Sequence, residues 1–421
     1  MGMRAGMSEV VITPPVGVRL AGYAARTGAS TSVLDDLYAK AMVLECDGRS
    51  VALVVCDLLG LGRPMVSAIR AKVRELTGLE ERSVMVTATH THCGPDLSCL
   101  SESSLDHLVE QVAGAVWCAK GALTEVELGI AQGESSIGVN RRNPDSPNAP
   151  YFLYSYPEGT MDRRLLLLEL QTPEGRKLGA VLNYPCHGVT LGSRELGISK
   201  DFVEWSCRVL KAAWGASAVP IFLQGCAANV NPRWIYDRPE LRPMPPPAWP
   251  RSLEARLRET KRLGHALGGA ALAAAGDITS RVSSAPLDSR LREVRLPLRS
   301  ELPPYLAKPS AGVESSKYPD LRSRLHDDRS SIETEVQVLR VGDSYIVGLP
   351  GEVFVEHQIT LRSTADVPAL FVSELAGDSI GYIMTPETLA EGGYEPSVCC
   401  VTADAGSLLT RAALEAIREM R

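Results

Sequence analysis

Val51-Ala52-Leu53-Val54-Val55-Cys56, the stretch 62–77, and Ser83-Val84-Met85-Val86-Thr87 running into Ala88-Thr89-His90-Thr91-His92-Cys93-Gly94-Pro95 decide the fold. The first run is continuously apolar and too short for a buried helix, so it reads as an inner strand. In 62–77 the apolar side chains fall at Met65, Ile69, Val73 and Leu76, the spacing of one helical face. The third run, rich in β-branched residues, reads as a second strand. Two histidines follow it directly, where an open α/β sheet binds its ligands.

Working outward, the alternation continues. Helices are predicted over 104–122, 199–214, 253–275 and 405–420, and strands over 126–131 and 219–223. Runs 165–170 and 178–183 read as a pair joined by Pro173-Glu174-Gly175, and 335–341 with 345–348 as a hairpin around Gly342-Asp343. Strands alternating with helices predict an α/β layered domain; the hairpins make its β-sheets mixed, flanked by helices. No internal repeat is visible, and a single domain over 1–421 is expected. Two irregular stretches, 233–252 with Pro245-Pro246-Pro247 and 299–333 with Pro303-Pro304, read as lid-like segments bordering a site.

Composition narrows the class. Apolar residues make up 45% and charged residues 22%, enough for a large core. A net charge of −6 and no basic patch argue against a nucleic-acid partner. The N-terminus moves straight into the strand-like Val10-Val11-Ile12-Thr13-Pro14-Pro15, without the apolar core of a signal peptide, and no apolar run is long enough for a transmembrane segment. A cytoplasmic protein with ten free thiols is therefore expected.

Chemistry points to histidine. Of seven histidines, His90 and His92 follow one predicted strand, and His187, in Pro185-Cys186-His187-Gly188, follows another. Imidazole is the commonest protein ligand of zinc. The same pattern also suits buried, hydrogen-bonded histidines, and spacing leaves both readings open. There is no HExxH, so a helix-borne zinc-protease site is excluded by pattern.

Seven segments in chain order resemble the catalytic domain of the neutral/alkaline (non-lysosomal) ceramidases. They are Val11-Ile12-Thr13-Pro14-Pro15 with Leu20-Ala21-Gly22-Tyr23; Ala88 to Pro95; Gly138-Val139-Asn140-Arg141-Arg142; Cys186-His187-Gly188; Gln224-Gly225-Cys226-Ala227-Ala228-Asn229-Val230-Asn231-Pro232; Leu349-Pro350-Gly351-Glu352-Val353-Phe354; and Gly381-Tyr382-Ile383 with Gly393-Tyr394-Glu395. The resemblance spans about residues 8–400. It implies the ceramidase catalytic-domain fold and a zinc ion, Zn2+, held by His90, His187, Glu352 and Tyr382. It also implies His92 beside the metal, to handle protons or hold a substrate oxygen. In a strand-like segment His92 points the same way as His90, so it is alternatively a ligand itself. Tyr394 is expected at the developing oxyanion and Arg141 at the substrate's polar end.

Two departures matter. The family's reacting serine is replaced by Asn231, and its aspartate by Asn229. An amide is no nucleophile at neutral pH, so the expected attacking group is water activated by the metal, with Asn231 hydrogen-bonded to substrate. Asp201 is a further acid/base or supporting candidate. The chain ends near the end of the match, so no C-terminal Ig-like domain is expected. The expected function is cleavage of an amide bond in a small-molecule or lipid-like substrate. An ester or lactone hydrolase, or an inactive metal-dependent binding protein, are the alternatives.

Overall fold

The computed structural model describes residues 2–24, 26–145, 153–233, 252–303, 306, 321–325 and 330–421. The lid-like stretch at 233–252 lies almost wholly outside the described residues, as does much of 299–333.

The fold is α/β with mixed sheets, and it is built three times over. The first unit runs through strands Arg4–Val11, Tyr38–Cys46 and Arg49–Cys56, helix Arg63–Thr77, strand Val84–Ala88 and helix Glu102–Gly121. The second runs through Glu127–Glu134, Arg164–Gln171, Lys177–Tyr184, helix Phe202–Trp214, strand Val219–Gln224 and helix Leu253–Gly276. The third runs through Leu287–Pro297, Ser331–Val341, Ser344–Gly348, helix Val355–Thr364, strand Ala369–Ser373 and helix Ala405–Glu419. In each unit the first three long strands pair antiparallel, and the fourth, after the helix, joins the third in parallel. Each helix crossover is what a parallel pair requires. The sequence shows no repeat because the three copies share topology, not residue identities.

Local chemistry sets the boundaries. Helix Arg63–Thr77 starts after Gly62 with proline in its first turn and stops at Gly78, whose φ of 74° lets its N–H reach Arg74 O. Ser101 caps the next helix through Ser104 N. The hairpin at Gly342-Asp343 forms as expected, with Val341 opposite Ser344 and Gly342 at φ 67°. Strands Tyr38–Cys46 and Leu287–Pro297 had no clear sequence signal. In the second the apolar residues switch parity, from Leu287 and Leu291 to Val294 and Leu296 around Arg292 and Glu293, which breaks its period.

Each sheet carries its two helices on the outer face. Met65, Ile69 and Val73 pack with Val112 and Val116 over the first sheet, Phe202 and Leu210 with Leu263 and Leu267 over the second, and Leu361 with Leu409 and Ala413 over the third. The inner faces meet in one shared core: Leu53 and Met85 from the first sheet, Val181 and Ile221 from the second, Ile346 and Phe371 from the third. Packing three sheets about a common core brings the C-terminal ends of their parallel pairs together. That convergence places the site. All ten cysteines are unpaired, as expected, and no helix among the described residues is long and apolar enough to cross a membrane.

Candidate metal centre

Each unit contributes one residue from the loop that follows a parallel strand. In the first, Thr89 N bonds Cys56 O at 2.9 Å and Thr89 Oγ1 donates to Asp57 Oδ1 at 3.2 Å, bracing the residue before His90. His90 then turns with φ 60°, a left-handed conformation that costs about 1–3 kcal/mol outside glycine and concentrates at functional sites. The loop is stitched to the second unit by Thr91 pairing with Gly188 and by His92 N on Gly188 O at 3.3 Å. In the second unit His187, fully buried, follows strand Lys177–Tyr184. In the third, Gly351 (φ 107°) makes the turn into Glu352; a Cβ there would sit 2.5 Å from Gly381 O. Glu352 consequently pairs with Tyr382 across two short parallel strands.

The ring orientations decide what the cluster can hold. His90 Nδ1 lies 2.8 Å from Leu59 O, and His187 Nδ1 lies 2.6 Å from Ala227 O and 3.2 Å from Val230 O. Carbonyls only accept, so both Nδ1 atoms are assigned the proton and both Nε2 atoms present lone pairs. Those lone pairs face one carboxylate oxygen: His90 Nε2 and His187 Nε2 are each 3.4 Å from Glu352 Oε2. His187 Nε2 and Glu352 Oε2 are buried without a hydrogen-bond partner. One added proton would relieve one contact; a cation relieves both. Donors about 2.0–2.1 Å from a tetrahedral zinc stand about 3.4 Å apart, which is the spacing found. Imidazoles that give their second N–H to backbone carbonyls are also the usual support of metal ligands. The donor set and its spacing therefore fit a divalent metal.

His92 completes a three-histidine cluster whose donor atoms lie within 4.8 Å of one another, with its Nε2 3.3 Å from His90 Nε2. Gly22 (φ 94°) lets its ring lie close, because a Cβ there would be 2.5 Å from His92 Nδ1. Tyr23 packs edge-on against the same ring, and Arg26 donates to His92 O at 2.8 Å. Among the described residues His92 and Glu352 are only partly buried, so they form the open edge of the centre.

Charge is divided unevenly. Burial, together with Arg141 and His90, pushes His187 down to about 4, its contact with Glu352 pulling the other way. Burial beside His90 and His187 pushes His92 well below the usual histidine range. Burial also opposes a charged His90, but the Glu352 carboxylate outweighs it and raises His90. Glu352, despite its own burial, is held well below the carboxylate range by His90 and His187. Within the cluster an added proton is thus favoured on His90 over His187 and His92.

The polar wall opposite comes from strand Gly138–Arg142. Arg141 is buried; its Nε donates to Glu395 Oε1 at 2.9 Å, Nη1 to Asn231 Oδ1 at 3.3 Å and Nη2 to Tyr382 Oη at 3.4 Å. Arg142 shares the same carboxylate at 2.6 Å. The Tyr382 and Tyr394 rings are 5.9 Å apart and edge-on. Burial and the nearby Glu352 raise both phenols above their ordinary range, so both stay protonated. Asn229 is occupied elsewhere: its Oδ1 accepts Val355 N at 3.0 Å and its amide donates to Glu356, tying the loop to helix Val355–Thr364.

The structure therefore brings His90, His92, His187, Glu352, Tyr382, Tyr394, Arg141 and Asn231 together. Asp201 is engaged by a separate set of hydrogen bonds. Its oxygens take Thr190 Oγ1, Leu191 N at 3.0 Å and Phe202 N at 2.7 Å, so it caps helix Phe202–Trp214 and pins the loop after His187. Two buried carboxylates escaped the sequence reading. Glu395 neutralises the two arginines, and Glu374 follows strand Ala369–Ser373, where burial and the neighbouring Glu352 push it up to about 8. The available signal for Glu374 was a carboxylate directly after a short apolar run, the pattern that marks His90.

A family model described as neutral/alkaline non-lysosomal ceramidase, N-terminal, matches residues 4–214. The neutral ceramidase of Pseudomonas aeruginosa is 25% identical over 329 residues, covering 71% of this chain and 46% of that protein. That of Mycobacterium tuberculosis is 22% identical over 457 residues, covering 89% of this chain and 70% of that protein. The chain thus spans about half the length of the first relative. Among solved structures, neutral ceramidase from Pseudomonas aeruginosa aligns over 100% of this chain and 74% of its own, with a TM-score of 0.79 at 20% identity. A ceramidase complexed with C2 aligns with a TM-score of 0.78 at 19% identity, over 100% of this chain and 75% of its own. At these identities the structural likeness is one of fold.

Proposed function

The chain belongs to the neutral/alkaline non-lysosomal ceramidase family, and from that premise we propose that it is a zinc-dependent hydrolase cleaving the amide bond of an amphiphilic, ceramide-like substrate. The observation that most supports this is the convergence of His90 Nε2 and His187 Nε2 on Glu352 Oε2, three buried lone-pair atoms spaced for a divalent ion. In this reading His90, His187 and Glu352 would hold the metal, with Tyr382 a further ligand and His92 beside them.

A divalent ion there supplies Lewis acidity, polarising a carbonyl and lowering the pKa of water to about 7. The protein's own groups do the rest. His92, kept neutral and at the open edge, accepts a proton from the attacking water and returns it to the leaving amine. Tyr394, kept protonated, donates its phenol hydrogen to the oxyanion that develops on the carbonyl. Arg141, with its guanidinium spent on Glu395, Asn231 and Tyr382, fixes the wall against which the substrate lies. Asn231 orients the substrate by hydrogen bonds and offers no nucleophile.

The test is zinc content and turnover together. About one zinc per chain, lost in His187→Ala and Glu352→Ala, with hydrolysis of an N-acyl amide faster than of the ester sharing its acyl group, is expected. A wild-type protein that takes up no zinc when it is supplied would refute the metal reading. A zinc-loaded protein that cleaves esters and no amide would refute the bond assignment.

A further inference from the structure

We propose that Glu374 is a positioning residue of the metal centre, its single carboxylate holding both the backbone that carries Glu352 and the backbone that orients His187. This rests on the metal-hydrolase reading above and adds a residue to it.

Glu374 comes directly after strand Ala369–Ser373, the place that Thr89, next to His90, occupies in the first unit. It is fully buried. Its main chain is locked from three sides: Thr87 Oγ1 donates to Glu374 O at 3.0 Å, Ser373 Oγ at 3.1 Å, and Glu374 N donates to Gln224 O at 3.2 Å. From that fixed base the carboxylate reaches two other segments. Oε2 accepts Val353 N at 2.8 Å, the amide that directly follows Glu352. The carboxylate also takes the backbone of Ala227, the residue whose carbonyl receives His187 Nδ1 at 2.6 Å. Gln224 Nε2 lies 3.4 Å from Oε1. The peptide that sets the Glu352 side chain and the carbonyl that sets the His187 ring are therefore tied to the same group. Both ligands have little freedom of their own, so their mutual spacing follows the segments that Glu374 joins. Backbone N–H groups buried here have no water to turn to, and loss of their acceptor leaves them unpaired.

Glu374→Met keeps the length and removes both acceptor oxygens; Glu374→Gln keeps one. Glu169→Gln is the control, since Glu169 is equally buried but pairs with Lys177 and Arg281 in the second sheet. Zinc dissociation constants would be measured by competition with a chromophoric chelator, beside the melting temperature of the metal-free proteins. Groups that orient metal ligands are typically worth about 10- to 100-fold in metal affinity. Glu374→Met is expected to weaken zinc by that factor and Glu374→Gln by less. Glu169→Gln is expected to melt earlier with its zinc affinity unchanged. Unchanged affinity in both Glu374 variants, with only a lower metal-free melting temperature, would make Glu374 a structural brace and overturn the proposal. Equal loss in both would show that the acceptor oxygen kept by glutamine counts for nothing and overturn it too. Should the Met variant not fold, the Gln variant decides: a several-fold weaker zinc constant supports the proposal, and a wild-type constant refutes it. Wild-type protein that binds no zinc overturns the metal reading and this inference together; zinc-binding wild type with unaffected variants overturns this inference alone.

Discussion

Glu352→Gln should separate stability from metal binding in opposite directions. The change is isosteric and removes the charge at the point where two imidazole lone pairs meet, each 3.4 Å from Glu352 Oε2. In the metal-free protein the new amide can donate to one of those lone pairs, a net gain of about 0.5–1.5 kcal/mol. No buried charge is left unpaired, because Glu352 is what raises His90 and a His90 without it stays neutral. Metal-free stability is therefore expected within about 1 kcal/mol of wild type, or above it. Zinc at about 1,000 times its dissociation constant stabilises the wild type by about 4 kcal/mol. At about 2.1 cal/mol/K of unfolding entropy per residue, that is ~4–5 °C for 421 residues. The variant should gain less than about 1 °C. Calorimetry of both proteins, chelated and zinc-supplied, with zinc content measured in parallel, decides it. A variant that loses several kcal/mol when chelated and still keeps the full zinc increment would refute the claim that these lone pairs form a cation site.

Three further outcomes follow from the geometry. Gly351→Ala would place a Cβ 2.5 Å from Gly381 O in a backbone with φ 107°; a loss of about 2 kcal/mol or more in denaturant unfolding, with reduced zinc content, is expected, and a stable variant with full zinc would contradict the tight approach of Glu352 to Tyr382. Tyr394→Phe should lower kcat about 10²–10³-fold, with KM little changed and zinc retained; loss of zinc instead would make Tyr394 a ligand. Burial would raise Asp162, but hydrogen bonds and charge from Arg164 and Arg362 outweigh it and hold its carboxyl down to about 2, against 3.8 ordinarily. Its stabilisation is thus complete above about pH 4 and is lost as pH falls towards 2, on the order of 2 kcal/mol, so Asp162→Asn should lower stability at pH 7 and flatten the acid limb between pH 4 and 2.

Much of the fold was legible because strands and helices carry their own periods. Val51 to Cys56 and the 62–77 stripe form within a residue or two of their predicted bounds, and the hairpin turns at Gly342-Asp343 as expected, though its first strand starts four residues earlier, at Ser331. Strand Leu287–Pro297 was not legible, because its apolar residues switch parity around Arg292 and Glu293. Of the candidate site, the strand-end histidines were legible from the residues themselves, while Glu352, Tyr382 and Tyr394 entered only through the family resemblance. Glu374, marked only by its place after a short apolar run, and Glu395 were not legible, since a glutamate by itself gives no sign of burial. It becomes a contact only when another segment folds over it: Val353 N in the first case, two arginines in the second.

The sequence by itself determined the class of the fold and the strand-end placement of His90, His92 and His187. Those follow from periodicity and side-chain chemistry, which are local. Only the tertiary structure decided that the chain is one arrangement made three times, and that the loops at the ends of its parallel strands point one lone pair each from His90 and His187 at a single oxygen of Glu352. That convergence is set by how three sheets pack on a shared core, across separations of up to 262 residues between His90 and Glu352, and no local pattern encodes a distance between units.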